Sequence, residues 1–220
     1  MALVLSENST RERPLVEAGS HPAICYQVID LGTQKSTYQG ETKELKKLRI
    51  SFEICDQNDD FEQVENGKVT IIKKPLVCSA EFTASIGPKA SLRKFIEGWL
   101  GLALNSKQLT SFKVADFLGK SALLNVVHKT SQISGRVYAA IGSASKLPKG
   151  MAVPERVNNL VSYEIEQKQG GEFTNLPKWL QEKISMASEL GGAKPKLGSE
   201  DGVPFKWHSN YPLNRKLRRD

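Results

Sequence analysis

The chain has 220 residues, of which 39% are hydrophobic and 25% are charged, as in ordinary globular proteins. No apolar run reaches the ~18 residues of a membrane-spanning helix. The N-terminus lacks the basic start of a secretion signal, so we expect a cytoplasmic protein without membrane attachment. The net charge of +7 favours acidic partners, among which nucleic acid is the commonest.

The residues that carry metal, redox or nucleophilic chemistry are few and scattered. An odd number of cysteines without a Cys-x-x-Cys pair argues against both a disulfide framework and a zinc site. The histidines lack metal-ligand spacing, and no nucleophile with its base can be assembled. We therefore expect no enzymatic activity, no metal and no cofactor. The residues are Cys25, Cys55, Cys78, His21, His128 and His208.

Two strands and a basic connection are predicted at the start of the chain. Residues 1–20 are polar and predict a flexible arm. Apolar or alternating runs predict strands at 23–30 and 48–54, joined by a Gly-containing loop at 31–44. Four cations lie between positions 43 and 49, an arrangement that suits contact with a phosphate backbone. A solvated hairpin tip that carries solubility charges is the alternative interpretation.

An acidic insert and a third strand follow, and then the period of the pattern changes. Residues 56–65 are rich in acids and end at the turn signal Asn66-Gly67, so a polyanion must pass elsewhere. Residues 68–72 and 75–83 predict strand structure. After Pro88, apolar residues at helical spacing predict a helix whose stripe faces the core. The stripe consists of Leu92, Phe95, Ile96, Trp99 and Leu100.

Two further strands are predicted at 122–128 and 136–143, with a polar hairpin loop between them. The order of five strands, with one helix between the third and fourth, is that of the OB fold. We therefore predict a mainly β chain with a five-stranded OB-fold barrel at 21–150. A C-terminal extension at 151–192 carries an edge strand near 160–165 and a helix near 177–190, and a basic flexible tail occupies 193–220.

Several segments resemble a known family. The run from His21 to Gln34 resembles the opening of bacteriophage OB-fold single-stranded DNA-binding proteins associated with replication and recombination. Further runs that carry the resemblance are Phe82-Thr83-Ala84-Ser85, Gly98-Trp99-Leu100-Gly101, Leu118-Gly119-Lys120 and Leu176-Pro177-Lys178-Trp179-Leu180. The resemblance covers residues 20–190. It implies sequence-independent binding of single strands, with phage or host replication proteins as further partners, and a homo-oligomer is compatible with it.

One departure concerns the end of the chain. Many single-strand binders of replication end in an acidic tip that recruits partner enzymes. This chain ends with Arg215-Lys216-Leu217-Arg218-Arg219-Asp220, so recruitment through an acidic tail is not expected. The basic tail instead suits additional contact with nucleic acid.

The predicted binding mechanism combines charge with ring stacking. Cations would neutralise phosphates and release counterions, and exposed rings would stack on bases. Tyr38 lies in a polar loop and is the strongest ring candidate, whereas Tyr26, Phe82 and Tyr138 are also compatible with the core. The candidate cations are Lys43, Lys46, Lys47, Arg49, Lys73, Lys74 and Arg136.

Two alternatives use the same barrel. In the first, it is a phage-encoded interaction module that binds a host or phage protein through exposed aromatic residues and the tail. In the second, it binds RNA. The salt response separates the classes, because binding to nucleic acid weakens steeply as salt rises.

Overall fold

The computed structural model describes residues 14–38, 41–65, 68–132, 134–152, 155–167 and 171–191. This part of the chain is mainly β, as predicted, with six strands in one mostly antiparallel sheet and few helices. The strands are β1 (Gly19–Tyr38), β2 (Glu41–Glu65), β3 (Lys68–Thr83), β4 (Ser121–Thr130), β5 (Val137–Ser145) and β6 (Val161–Tyr163).

Four short α-helices accompany the sheet: α1 (Ser91–Leu100), α2 (Ser106–Thr110), α3 (Glu172–Asn175) and α4 (Lys178–Ser185). Single 3₁₀ turns occupy Val114–Phe117, Ile165–Gln167 and Ser188–Leu190. The predicted stripe of α1 is confirmed, because Leu92, Phe95, Ile96 and Trp99 are buried. The helix ends at Gly101, whose φ of 68° is the left-handed conformation that glycine adopts readily.

The strand order is β3-β2-β1-β4-β5, and the short β6 pairs in parallel with the middle of β1. The pairings along this path are all antiparallel, so β3 and β5 at its two ends run in the same direction. These ends approach each other, since Cys78 Sγ on β3 lies 3.8 Å from the carbonyl oxygen of Ala139 on β5. The described residues form no ladder between β3 and β5, so the sheet is not closed.

The main core lies between the inner face of the sheet and α1. Alternate residues of β2, among them Ile50, Phe52 and Ile54, are fully buried there. Trp99 packs against Phe52 with ring centroids 5.1 Å apart, and its indole N–H donates to the carbonyl oxygen of Ser121 at 2.7 Å. Burial of an aliphatic or phenyl side chain of this kind stabilises the fold by about 1.5–3 kcal/mol.

All three cysteines are free thiols in this region. Burial raises the pKa of Cys25 to about 12. Burial likewise raises the pKa values of Cys55 and Cys78 to about 11. The thiols therefore stay protonated at neutral pH and act as small apolar side chains.

A second core lies on the outer face of the sheet, where the described parts of the C-terminal extension (residues 155–167 and 171–191) cover β1. Ile29 and Leu31 point outward from β1 and are fully buried beneath it. The side chains that cover them are Tyr163, Ile165, Phe173, Leu176, Leu180, Ile184 and Ala187. The extension thus packs against the sheet through an apolar cluster of its own, and β6 is the edge strand predicted near 160–165.

Gly32 shows how closely the extension approaches β1. Its φ of +67° is left-handed, and a Cβ added there would overlap Ile165 Cδ1 and lie 2.7 Å from Ala187 Cβ. Glu189 binds beside it, accepting hydrogen bonds from the Thr33 backbone N–H at 2.8 Å and the Thr33 hydroxyl at 2.7 Å. Only glycine satisfies both the backbone conformation and the available space.

The predicted connection at 31–44 is wrong, because β1 and β2 continue as a paired ladder as far as Tyr38 and Glu41. Polar residues favour a loop in the sequence, but cross-strand pairs such as Lys35 with Glu44 complement each other in charge and suit a ladder. The helix predicted near 177–190 is shorter, since α4 ends at Ser185 and a 3₁₀ turn follows.

The predicted flexible arm at 1–20 is wrong for residues 14–20, and residues 1–13 lie outside the described part. Val16 is buried in the main core. The His128 ring forms a hydrogen bond with the carbonyl oxygen of Val16 at 2.8 Å. The His21 ring forms one with the carbonyl oxygen of Glu17 at 3.0 Å. These contacts tie the segment to the sheet. The predicted basic tail at 193–220 also lies outside the described residues.

The acidic insert is an ordered β-hairpin rather than a loop after a short second strand. After a register shift between Glu53 and Asn58, β2 continues to Glu65 and pairs with the start of β3. This segment, Asn58 to Glu65 with Lys68 to Pro75, is called the β2–β3 arm below. Within the described residues its two strands pair only with each other.

Candidate nucleic-acid interface

The structure divides the predicted site residues between two opposite ends of the sheet. The β1–β2 hairpin carries Lys43, Lys46 and Lys47 at one end. The β2–β3 arm and the β4–β5 hairpin lie toward the other end, because β3 and β5 run in the same direction and both begin there. Lys73, Lys74, Arg136 and Tyr138 belong to this second end. The predicted set therefore does not form one continuous groove.

At the β1–β2 hairpin, acids pair with two of the predicted cations, Lys43 and Lys46. Lys43 Nζ lies 3.0 Å from a Glu41 carboxylate oxygen. Lys46 Nζ lies 3.1 Å from Asp30 Oδ2 and 3.9 Å from Glu166 Oε1. The hydrogen bond that Lys46 donates to Asp30 raises the pKa of Lys46, against a lowering by partial burial. Because Lys43 and Lys46 form ion pairs within the protein, their attraction for phosphate is weakened.

Arg49 lies under the C-terminal extension and not on an open face. Its guanidinium Nη1 is 3.3 Å from Glu81 Oε1. Its Cζ, the central carbon of the guanidinium, lies 4.9 Å from the centroid of the Trp179 ring. Lys183 of α4 reaches the same carboxylate at 2.6 and 2.7 Å. Burial lowers the pKa of Arg49, opposed by the charge of Glu81. With 13% of its side chain exposed, Arg49 has little surface for a phosphate.

The rest of the outer face of β2 is also occupied. Glu53 is buried and accepts hydrogen bonds from the backbone N–H groups of Val157 at 2.9 Å and Asn158 at 2.8 Å. The Asn158 side-chain amide donates a third bond at 2.7 Å. Glu53 therefore fixes the start of the extension and does not border an open groove. The described residues of the extension therefore cover the outer face of β2 at Arg49 and Glu53.

The four candidate rings have different environments. Tyr26 is 9% exposed, so a base has little of its ring to stack on. Phe82 packs against Phe95 with ring centroids 4.9 Å apart, at the edge of the main core. Tyr38 ends β1, and its side chain lies outside what the structure describes. Tyr138 is 39% exposed on β5 and is the ring that remains available.

The β4–β5 hairpin places cations beside Tyr138. Lys129 is the direct cross-strand partner of Tyr138, so both side chains lie on the same face. Arg136 directly precedes β5, and Lys129 and Arg136 are both exposed. The stretch between Asp116 and Glu155 contains no acidic residue. Its basic residues are Lys120, Lys129, Arg136, Lys146 and Lys149.

Lys129 and the acid-free stretch were missed by the sequence reasoning, although the signal is present in the sequence. The density of cations favours the run at 43–49, although acids are interleaved there. The absence of acids between Asp116 and Glu155 is the signal that points to the β4–β5 hairpin. Lys73 and Lys74 are exposed on the arm, but each is paired across the arm with an acid, Asp60 and Asp59 respectively.

A shallow cavity of about 540 Å³ lies beside the N-terminus of α1. It is lined by Thr83, Ser85, Gly87, Pro88, Lys89, Ala90 and Ser91. These residues include one charged side chain and no acid, histidine or cysteine, so they offer no acid–base pair. Across the described part of the chain, no group of three or more side chains is placed to hold a metal ion.

None of the helices in the described segments combines the length and apolar character needed to traverse a bilayer. Comparison with known proteins adds no further constraint. No protein family model matches the chain, and no curated protein is significantly similar to it.

Proposed function

We propose that this protein binds single-stranded DNA without sequence preference, through the β4–β5 hairpin of an OB-type barrel. The observation that carries the proposal is the acid-free basic hairpin with an exposed ring between two cations. We call Lys129, Arg136 and Tyr138 the hairpin patch. The resemblance to phage single-strand binders supports a role in protecting or presenting single strands during replication or recombination, in a bacterial cytoplasm.

The architecture supports the OB-type assignment. Strand order β3-β2-β1-β4-β5, a helix between β3 and β4, and the approach of β3 to β5 at Cys78 and Ala139 are features of that barrel. OB barrels are commonly only partly closed. Their ligands contact the loops between strands 1 and 2 and between strands 4 and 5, together with the outer face of strands 2 and 3. Here the extension covers part of that outer face, and of the two hairpins it is the β4–β5 hairpin that lies in the acid-free stretch between Asp116 and Glu155.

The chemistry of the patch suits single strands. Lys129 and Arg136 attract the phosphate backbone and displace its counterions. Tyr138 offers a face on which an unpaired base stacks, with a contribution of about 1–3 kcal/mol per base. In a duplex the bases are already stacked and paired, so they offer the Tyr138 ring no free face to stack on. The patch therefore favours single strands over duplex.

Fluorescence anisotropy with a labelled single-stranded oligonucleotide at low salt tests the proposal. We expect Tyr138→Ala to weaken binding by roughly 5–100-fold, since one stacking contact is lost. The double variant Lys129→Glu/Arg136→Glu should weaken it at least as much through repulsion. Lys43→Gln is the matched control, because that lysine is exposed but already paired with Glu41, and it should bind like the parent.

Competition with duplex DNA and RNA completes the experiment. Preferential displacement by single-stranded DNA supports the proposal, whereas equal competition by duplex contradicts the stacking contact. Preferential displacement by RNA would identify RNA as the ligand. Weak binding that does not respond to salt would favour a protein partner. Unchanged affinity in both patch variants would place the interface elsewhere.

A further inference from the structure

The two faces of the β4–β5 pair have different surroundings. The inner face belongs to the main core, where Leu124, Val126 and Ala144 are buried. Because side chains alternate between the faces of a strand and direct cross-strand partners share a face, the register defines the outer face. Its pairs are Leu123 with Ser145, Asn125 with Ser143, Val127 with Ala140 and Lys129 with Tyr138.

The outer face of this pair is accessible along its length. None of the eight outward side chains is buried, and Asn125, Ser143 and Ser145 are exposed. The C-terminal extension buries Ile29 and Leu31 on the outer face of β1 but leaves the face of β4–β5 accessible. Hydroxyl and amide groups of this kind form hydrogen bonds with the sugar–phosphate backbone of nucleic acids.

Cations lie at both ends of this accessible face. The hairpin patch lies at one end, and Lys146, which is exposed, directly follows β5 at the other end. Lys149 is exposed three positions further along the chain. Because the stretch between Asp116 and Glu155 contains no acid, the face itself carries no negative charge. A polyanion can therefore extend from one group of cations to the other without repulsion.

Acids lie on the side of β4 where β1 begins. Glu17 is exposed and shortly precedes β1. Asp56 lies 3.0 Å from the Nδ1 atom of His21, near the start of β1, with 42% of its side chain exposed. These carboxylates repel a polyanion, so a path that leaves the hairpin patch is directed toward β5 and away from β1.

We propose that a single strand of DNA runs along the outer face of the β4–β5 pair, from the hairpin patch to Lys146. Asn125, Val127, Ala140, Ser143 and Ser145 form this path, which we call the strand track. The inference rests on the proposed function, which concerns the hairpin patch alone, and adds a path and a length to it.

The dimensions of β5 give the length of the bound strand. From Tyr138 to Ser145 the track covers about 23 Å at ~3.3 Å per residue. This distance corresponds to about seven nucleotides at the ~3.4 Å spacing of stacked bases. Such a length lies within the range of roughly 4–16 nucleotides that one OB fold binds.

Anisotropy of labelled oligothymidylates of increasing length, at low salt, tests this length on the full chain. Affinity should rise steeply up to about seven nucleotides, as successive contacts along the track are made, and then level off. An affinity that is already constant above about three nucleotides, the length that the hairpin patch alone spans, would overturn the strand track.

A charge placed in the middle of the track tests the path. With an oligothymidylate of about twelve nucleotides, Ser143→Lys should tighten binding by roughly 3–10-fold, because one more phosphate is neutralised. The slope of log K against log salt should steepen by about 0.7. Ser143→Glu should weaken binding by a similar factor. Circular dichroism verifies folding, and Asn125→Lys and Asn125→Glu repeat the test on the neighbouring strand.

The same substitutions at Ser106 are the matched controls for net charge. Ser106 is exposed on α2, which packs through Leu109 against the main core on the inner side of the sheet. Ser106→Lys and Ser106→Glu should therefore bind within about twofold of the parent. Opposite effects of lysine and glutamate at Ser143, without such effects at Ser106, support the strand track.

Tyr138→Ala, measured beside these variants, distinguishes the two proposals. If it weakens binding while the track variants bind like their Ser106 controls, the strand track is overturned and the hairpin patch remains. If Tyr138→Ala binds like the parent, the hairpin patch is not the site, and the strand track, which begins there, is overturned with it.

Discussion

The β1–β2 hairpin carries more cations than the β4–β5 hairpin, but the two hairpins present them differently. On the β1–β2 hairpin, Lys43 and Lys46 bind acids of the protein, and Arg49 lies beneath the C-terminal extension. On the β4–β5 hairpin, Lys129 and Arg136 are exposed in a stretch without any acid. Local cation density therefore does not locate a polyanion site. Whether a cation can bind a phosphate depends on the acids that lie near it and on the elements that pack over it.

The covered side is held together by groups that resemble a ligand site. Arg49, Lys183, Glu81 and Trp179 form a mostly buried charged cluster between β2, β3 and α4. From the sequence alone, a cation such as Arg49 is a reasonable candidate for a phosphate ligand. In the structure, the cluster joins the extension to the sheet.

The largest effect is expected from an added methyl group at Gly32. Gly32→Ala should destabilise the protein by about 3–4 kcal/mol, from left-handed strain and overlap with Ile165 and Ala187. Gly135→Ala is the matched control in the β4–β5 loop, with φ of +65° and no atom within 4 Å of the added Cβ. It should cost only about 1 kcal/mol. Urea unfolding measures both, and equal losses would show that the extension does not press on β1.

The buried thiols Cys25 and Cys78 should report on the packing of the main core. Because burial raises the pKa of Cys78 from 9.0 to about 11, its thiolate fraction at pH 8 falls roughly 100-fold, and alkylation slows accordingly. Cys25 on β1, with a pKa of about 12, should react more slowly still. Peptide mapping by mass spectrometry of native and urea-unfolded protein measures both rates. Native rates close to the unfolded rates would contradict the burial.

The same thiols set the sign of a pH effect on stability. The unfolded chain loses these protons near pH 9, whereas the folded protein keeps them to higher pH. The free energy of unfolding should therefore fall as pH rises above 9. Urea titrations at pH 8 and pH 10 measure the change, and Cys78→Ala should reduce it. A stability that is constant across this range would contradict the raised pKa values.

A moderate effect is expected from Glu81. Glu81→Ala should destabilise the protein by about 2 kcal/mol, because Arg49 and Lys183 are left as neighbouring, largely buried cations. Glu41→Ala, which removes the exposed partner of Lys43, should change stability by less than about 0.5 kcal/mol. Thermal unfolding of the two variants compares a covered ion pair with an open one. A small effect of Glu81→Ala would mean that water reaches this cluster.

The smallest effect is expected on the salt dependence of DNA binding. Lys129→Gln should reduce the slope of log K against log salt by about 0.7, the value for one phosphate contact on a single strand. Lys43→Gln should leave the slope unchanged because Glu41 already neutralises it. Anisotropy titrations over a range of salt concentrations measure both. Similar slopes for the two variants would remove the distinction between the hairpins.

Much of the fold could be predicted from patterning. The alternating run at 48–54 agrees with the structure, since Ile50, Phe52 and Ile54 lie in the core and Arg49 lies on the opposite face. Helical spacing found α1, and the order of elements along the chain is as expected. Strand ends were underestimated, because polar pairs such as Lys35 with Glu44 are compatible with a ladder but carry no hydrophobic signal.

The candidate site was harder to predict for a physical reason. Alternation shows that Arg49 and Glu53 point away from the core, but not what covers that face. The covering residues, Lys183 and Asn158, are over 100 positions distant and show no local relation to β2. Tyr26 and Tyr138 have similar sequence contexts in mid-strand, and only the three-dimensional packing separates the buried ring from the exposed one.

The position of β1 has a consequence for synthesis of the protein. β1 is translated before its partners β4 and β6, and its outer apolar residues are covered by residues up to Ala187. At ribosomal speeds of about 5–20 residues per second, roughly 10–30 s pass between the synthesis of Ile29 and Leu31 and the synthesis of the residues that cover them. During that interval a nascent β-hairpin displays apolar side chains, which makes this stretch the natural target for chaperones that protect growing chains.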